Sequence, residues 1–203
     1  HDYILKPVKA AELLWSVKRC VDTIANMKRL KDEQEKICDL AFHDPLTSLP
    51  NRRLFDDRLS QAIAKSHRYQ MKFGLLYLDL DHFKQVNDNF GHEAGDQVLV
   101  ETSQRIESCC KRDLDTICRQ GGDEFSVIIT DCGGRLQLEE IAEKLIHKFR
   151  QPFKVNGTEV TVTACIGISL FPDNGTGQRD LKIASDTAMY AAKQAGRNCW
   201  QVS

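Results

Sequence analysis

The run Gly121-Gly122-Asp123-Glu124-Phe125 constrains this chain most. Thr116 to Gln120 reads as one short strand and Ser126 to Thr130 as another, so the five residues form the tip of a β-hairpin. Glycine permits positive φ at such a turn and lets another molecule approach the backbone closely. A hairpin commits the fold to a sheet with antiparallel pairing and puts two carboxylates at its end. Taken alone, Gly-Gly-Asp is also what an ordinary turn with solvated acids looks like.

The remaining pattern mixes strands, helices and hairpins. Leu54 to His67 reads as a helix and Phe73 to Leu80 as a buried strand. Asp96 to Cys110, Leu136 to Arg150 and Arg179 to Gln194 read as helices. Phe153 to Val155 and Thr158 to Ser169 form a predicted hairpin around Asn156-Gly157, and Asn198 to Val202 is a last short strand. The fold class is α+β, an antiparallel-containing sheet with helices expected on one side. Leu13 to Ala41 has no proline or glycine. Its apolar residues Leu13, Val17, Val21, Ile24, Met27 and Leu30 recur about every 3.5 residues, the coiled-coil period. A two-stranded stalk and a single packed helix both satisfy that spacing.

Composition narrows the function classes. A net charge of -1 provides no global basic field for nucleic acid or a membrane surface. No apolar run approaches the roughly 20 residues that span a bilayer, and no signal-peptide pattern opens the chain. The eight cysteines lack zinc-ligand spacing and read as reduced cytoplasmic thiols. The chain opens on His1 rather than methionine, so a piece of a longer protein is expected.

Alternation puts Asp79 and Asp81 on one face at the end of the Phe73–Leu80 strand. If Asp79 lay beside the hairpin acids, the oxygen-rich site would suit a hard cation. Like charges within about 4 Å repel by roughly 4 kcal/mol per pair at an effective dielectric near 20, a cost that a divalent ion removes. An exposed Asp81 and a helix-capping Asp79 are the plainer alternative. His82 to His92 reads as a turn by composition.

These residues together resemble the GGDEF family, the diguanylate cyclases. The hairpin matches the family signature. His43-Asp44-Pro45-Leu46-Thr47-Ser48-Leu49-Pro50-Asn51-Arg52 resembles the Asp-x-Leu-Thr-x-Leu-x-Asn-Arg motif that opens the family's domain. Asp79 to Asp96 carries every letter of Asp-x-Asp-x-Phe-Lys-x-x-Asn-Asp-x-x-Gly-His-x-x-Gly-Asp. The resemblance implies a palm-like, ferredoxin-related mixed sheet over residues 44–203, preceded by a long N-terminal helix, 13–43, as a stalk. Residues 1–12, with Lys6-Pro7 after a short strand, resemble the end of a response-regulator receiver domain.

The family resemblance also implies roles. Asp79, the Leu80 carbonyl, Asp123 and Glu124 would bind Mg²⁺, with Mn²⁺ as a substitute. Glu124 would be general base or metal partner, and Lys84 would steady phosphate charge. Asn87 and Asp96 would read guanine; His92 would assist at the base or hold the turn. Gly121 and Gly122 would let the substrate approach the hairpin backbone, and Lys193 and Arg197 would meet the triphosphate. The Arg112-x-x-Asp115 spacing matches the family's inhibitory product site, with Lys144 where a further arginine is usual; alone it is a solvated turn. The implied reaction condenses two GTP into cyclic dimeric GMP and needs a homodimer, since each domain holds one GTP. A catalytically inactive receptor for the dinucleotide, and a related cyclase with another product, are the rival readings.

Overall fold

The computed structural model describes residues 10–110, 114–155 and 157–203, and within the first helix all side chains except those of 10–13, 32 and 34–40. The receiver-like strand expected at Asp2–Pro7 lies outside the described residues. The chain divides into two compact units, ending and beginning at Ala41 and Phe42.

The first unit contributes α1 (Ala10–Phe42), one uninterrupted helix. Its seam residues Val17, Val21, Ile24, Met27 and Leu30 are each 53–67% exposed. The apolar stripe that the spacing predicts therefore lies open along the helix.

In the second unit, Asn51 caps α2 (Arg52–Tyr69). Its side chain accepts from the backbone N–H of Arg53 and Leu54 at 3.0 and 3.2 Å, supplying acceptors to donors that the first turn leaves unpaired. Then follow β1 (Phe73–Leu80), α3 (Phe83–Phe90), α4 (His92–Cys109), β2 (Thr116–Gly121), β3 (Glu124–Ile129), α5 (Arg135–Phe149), β4 (Phe153–Val155), β5 (Thr158–Val160), β6 (Ala164–Phe171), α6 (Gln178–Gln194) and β7 (Trp200–Val202). The main sheet runs β2-β3-β1-β6-β7. All its pairings are antiparallel except β6 with β7. This is the expected mixed α+β sheet.

Three expectations need correction. Helices cover both faces of the sheet, not one. Leu76, Leu78 and Leu80 of β1 share a core with Val98 and Ile106 of α4 and Leu145 and Phe149 of α5. Phe73 and Leu75 pack on Phe55 and Leu59 of α2 and Leu181 of α6. A strand apolar at both odd and even positions needs cover on both sides, and each fully buried Leu or Phe contributes about 1.5–3 kcal/mol. Second, His82 to His92 is not a turn. Phe83 and Val86, both buried, are three residues apart on one face and make α3 an amphipathic helix; α4 begins at His92 rather than Asp96. Third, Thr158 to Ser169 is two strands. β5 pairs only with β4, while β6 enters the main sheet beside β1.

One contact fixes α6 against the sheet. A Cβ on Gly167 of β6 would lie 2.0 Å from the Ser185 carbonyl and 2.2 Å from the Met189 nitrogen. The helix backbone therefore rests directly on the strand, and its last turn is carried toward the end of β1.

Candidate active site

Asp79, next to last in β1, pairs in register with Glu124 at the start of β3 and with Cys165 of β6. Residues opposite each other on antiparallel strands share a face, so Asp79 and Glu124 point to the side that α6 covers. Between them in sequence lies the hairpin tip, where Gly121 and Gly122 take φ of +140° and +55°. The Asp123 carbonyl accepts from Leu80 N–H at 3.4 Å. Leu80 itself buries its side chain in the core, leaving its carbonyl oxygen as the group that could coordinate a cation.

Lys193, in the last turn of α6, reaches Asp79 with Nζ 2.7 Å from Oδ2. Burial works against the ammonium, but the bond to Asp79 outweighs it and holds the lysine above its ordinary pKa. The Asp123 carboxyl is pushed up by burial and then by the Asp79 charge. Glu124 is pushed up by burial and then by Asp79 and Asp123. The acids therefore feel one another across the strand ends. Three carboxylates against one ammonium leave two negative charges uncompensated.

An all-oxygen set of Asp79, the Leu80 carbonyl, Asp123 and Glu124 fits a hard divalent ion. Among the described residues, no group of three or more His, Cys, Asp or Glu forms a ready-made metal cluster. A magnesium ion here would need further oxygens, and phosphates are the usual source.

Asp81 is neither exposed nor available. It is 5% exposed. Oδ2 accepts from Thr163 Oγ1 at 2.7 Å and from Asn198 N–H at 3.0 Å, and Oδ1 accepts from Cys165 Sγ at 3.1 Å. Burial, and then that bond to Asp81, pushes the Cys165 thiol up to about 12, so it stays a donor. Arg197 Nε lies 4.0 Å from Asp81 Oδ1. Asp81 thus anchors the turn after α6, where Arg197 and Asn198 adopt left-handed φ of 65° and 50°.

The predicted base-reading residues sit on neighbouring helices, Asn87 on α3 and Asp96 on α4. A Cβ on Gly95 would fall 1.9 Å from Asn87 Oδ1. The Asn87 side chain therefore lies over Gly95, the residue before Asp96. Asp96 is exposed, as are Lys84 on α3 and His92 at the start of α4.

The predicted product-site residues divide. Arg112 lies outside the described residues. Asp115 accepts from Thr130 N–H at 3.0 Å and lines a cavity of about 490 Å³ with Arg58 and Lys65 of α2. Lys144 lines a different recess, of about 420 Å³, with His147 and Lys148.

Sequence reasoning missed Arg119 of β2. Its Nη1 lies 2.9 and 3.1 Å from the two Asp44 oxygens, and its Nε and Nη2 lie 3.1 and 2.9 Å from the Gly122 carbonyl. Burial disfavours the Asp44 charge, yet donors from Thr47 and Arg119 hold its carboxyl below the usual range. The one available signal was the position of Arg119 two residues before Gly121.

The diguanylate cyclase, GGDEF domain family model matches residues 41–199. The chain belongs to the diguanylate cyclase GGDEF-domain family. It is 45% identical over 163 residues to the bifunctional diguanylate cyclase/cyclic di-GMP phosphodiesterase MucR of Pseudomonas aeruginosa, covering 80% of this chain and 24% of MucR. It is 38% identical over 170 residues to the diguanylate cyclase TpbB of the same species, covering 83% of this chain and 39% of TpbB. The chain thus spans well under half the length of these relatives. Among solved structures, the coiled coil and GGDEF domain of DgcB from Caulobacter crescentus, in complex with c-di-GMP, superposes with a TM-score of 0.82 at 28% identity. That match covers 92% of this chain and 98% of the DgcB chain. In this GGDEF domain the signature acids are intact, and they meet Asp79 at the sheet end.

Proposed function

We propose that this GGDEF domain condenses two GTP into cyclic dimeric GMP with release of pyrophosphate. The observation that carries the reading is the register of Asp79 against Glu124 at the hairpin tip, with Lys193 on the same face. Asn87 against Gly95, the residue before Asp96, supports guanine as the base, because a carboxylate accepts from N1–H and the exocyclic amine, which adenine cannot offer together.

In each of two rounds a 3′-oxygen bonds to the α-phosphorus of a second nucleotide, and the bond from that phosphorus to the pyrophosphate oxygen breaks. Glu124 takes the hydroxyl proton or supports the ion. Asp79, the Leu80 carbonyl and Asp123 would hold the divalent ion. Mg²⁺, or Mn²⁺ in its place, would supply charge neutralisation at the phosphate oxygens. Lys84, Lys193 and Arg197 neutralise triphosphate charge, and Gly121 and Gly122 leave room for it. His92 holds the α3–α4 corner or assists at the base.

One domain holds one GTP, so two copies must face each other, and the open seam of α1 supports a homodimer. In this reading residues 1–12 end a receiver domain, α1 is the stalk, and the protein works in the cytoplasm as a response-regulator output. Among the described residues no helix is long and apolar enough to cross a membrane. Product inhibition through Arg112, Asp115 and Lys144 belongs to the same reading.

Incubation with Mg²⁺ and GTP, followed by chromatography, tests this. Cyclic dimeric GMP with an equivalent yield of pyrophosphate is expected, and the rate should fall as product accumulates. Unreacted GTP alongside retained dinucleotide binding would establish a receptor instead. A mixed or mononucleotide product would establish a different cyclase.

A further inference from the structure

We infer that Arg119 is a positioning residue for the metal-binding hairpin, held in place by Asp44. The inference rests on the cyclase reading of the hairpin acids, but its test does not depend on turnover.

The hairpin tip has two flanks. On the inner flank, Asp123 and Glu124 meet β1. On the outer flank, β2 is an edge strand with a register irregularity between Arg119 and Gly121. Gly122 sits at positive φ, and nothing lies within 4 Å of where its Cβ would be. A two-glycine turn at a sheet edge has few contacts of its own to hold it. The four Arg119 contacts, made with side chains only 12% and 17% exposed, supply that restraint. Two go to the Gly122 carbonyl, the residue immediately before Asp123. The other two end on Asp44, which is itself fixed by Thr47 N–H and Oγ1 at 2.9 and 2.7 Å, and by its own N–H to the Leu49 carbonyl at 2.8 Å. Arg119 N–H further donates to the Pro50 carbonyl at 3.1 Å.

The chain of contact runs from the Asp44–Leu49 turn, through a planar guanidinium, to the peptide that aims Asp123. Arginine fits this task because its fork can hold a carboxylate on one edge and a carbonyl on the other at a fixed angle; lysine has a single ammonium and cannot. Partners that orient metal ligands from behind typically govern metal affinity by about tenfold or more.

The test is Mn²⁺ titration, read as free-ion EPR signal, on the whole chain with a GTP analogue whose α–β bridging oxygen is methylene. Binding of the same analogue in EDTA serves as the second measurement. Arg119→Lys removes the fork and both Gly122 contacts. It should weaken Mn²⁺ about tenfold, with metal-free analogue binding at Asn87 and Asp96 unchanged. Asp44→Asn leaves the Gly122 bonds but loosens their anchor, and should weaken Mn²⁺ by about threefold on the same scale. If Arg119→Lys does not fold, Asp44→Asn decides alone: a loss of Mn²⁺ affinity with intact metal-free binding supports the inference. Unchanged Mn²⁺ affinity in the folded variants overturns it. So does an equal fall in metal-free analogue binding, which would mark a general structural ion pair. Absence of turnover in the wild type would sink the cyclase reading and leave this measurement intact.

Discussion

Replacing Asp81 with alanine should destabilise the fold, while replacing Asp79, two residues away, should not. Asp81→Ala removes the acceptor from Thr163 Oγ1, Asn198 N–H and Cys165 Sγ in a site 5% exposed. The thiol is a weak donor and costs little when unpaired. The hydroxyl and amide each cost about 1–3 kcal/mol when buried without a partner, so the two together cost about 2–6 kcal/mol. For a domain of this size each kcal/mol moves Tm by about 2–4 °C, giving a fall of about 4–24 °C. Asp81→Asn keeps an oxygen where Thr163 and Asn198 donate, and should cost less than about 1.5 kcal/mol. Asp79→Ala loses only a partly exposed pair with Lys193, worth about 0–1 kcal/mol. Thermal unfolding followed by circular dichroism, with urea midpoints as a check, measures all three. An Asp81→Ala variant within about 3 °C of wild type, or an Asp79→Ala variant as damaged as Asp81→Ala, would refute the division of labour between the two acids.

Asp79→Asn and Glu124→Gln should each keep the fold and lose synthesis by at least about a hundredfold, measured as cyclic dimeric GMP formed at saturating Mg²⁺. Asp96→Ser should narrow the preference for GTP over ATP, since a bidentate acceptor is lost; competition assays that still reject ATP as strongly would remove Asp96 from base reading. The raised Glu124 pKa has a definite sign: an acid lifted above its ordinary 4.5 stabilises the fold below that pH and loses the contribution as pH rises through the folded value. Metal-free Glu124→Gln should therefore melt above wild type at pH 7, and the gap should close below pH 4.5. Ile24→Glu should shift sedimentation toward monomer and lower specific activity, with recovery at high protein concentration; a profile independent of concentration would mean that the α1 seam pairs with nothing.

The sequence was most legible where one periodicity ruled a whole segment. Phe73–Leu80 has the expected bounds, and α5 differs from its predicted range by one residue at each end. The two-sided cover of the sheet was also readable, because β1 is apolar at odd and even positions alike, but that signal was not used. His82–His92 misled because asparagines, aspartates and glycine favour turns locally, while burial of Phe83 and Val86 favours a helix and prevails. The Asp44–Arg119 pair spans 75 residues, and no local pattern reveals such a partner. Asp81 misled for a related reason. Its donors come from Thr163, Cys165 and Asn198, more than 80 residues later, so the second acid of Asp-x-Asp read as an exposed acid.

That difference between the two acids organises the site. Asp81 spends its charge inward, pinning the turn after α6 and with it the base of Arg197. Asp79 keeps its charge at the open end of β1, where Lys193 answers it. The lysine arrives there because α6 lies on the bare backbone of Gly167, so one close helix–strand contact sets the local charge balance. Burial and mutual repulsion still lift Asp123 and Glu124, which means a single ammonium leaves the cluster short of positive charge. A divalent ion would settle that imbalance more fully than a lysine can. It would compete with Lys193 for Asp79 and release the ammonium toward other anions. Such coupling of metal and phosphate binding through one side chain predicts that Lys193→Met separates them. Metal binding without nucleotide should strengthen in that variant, and the contribution of the triphosphate to affinity should fall.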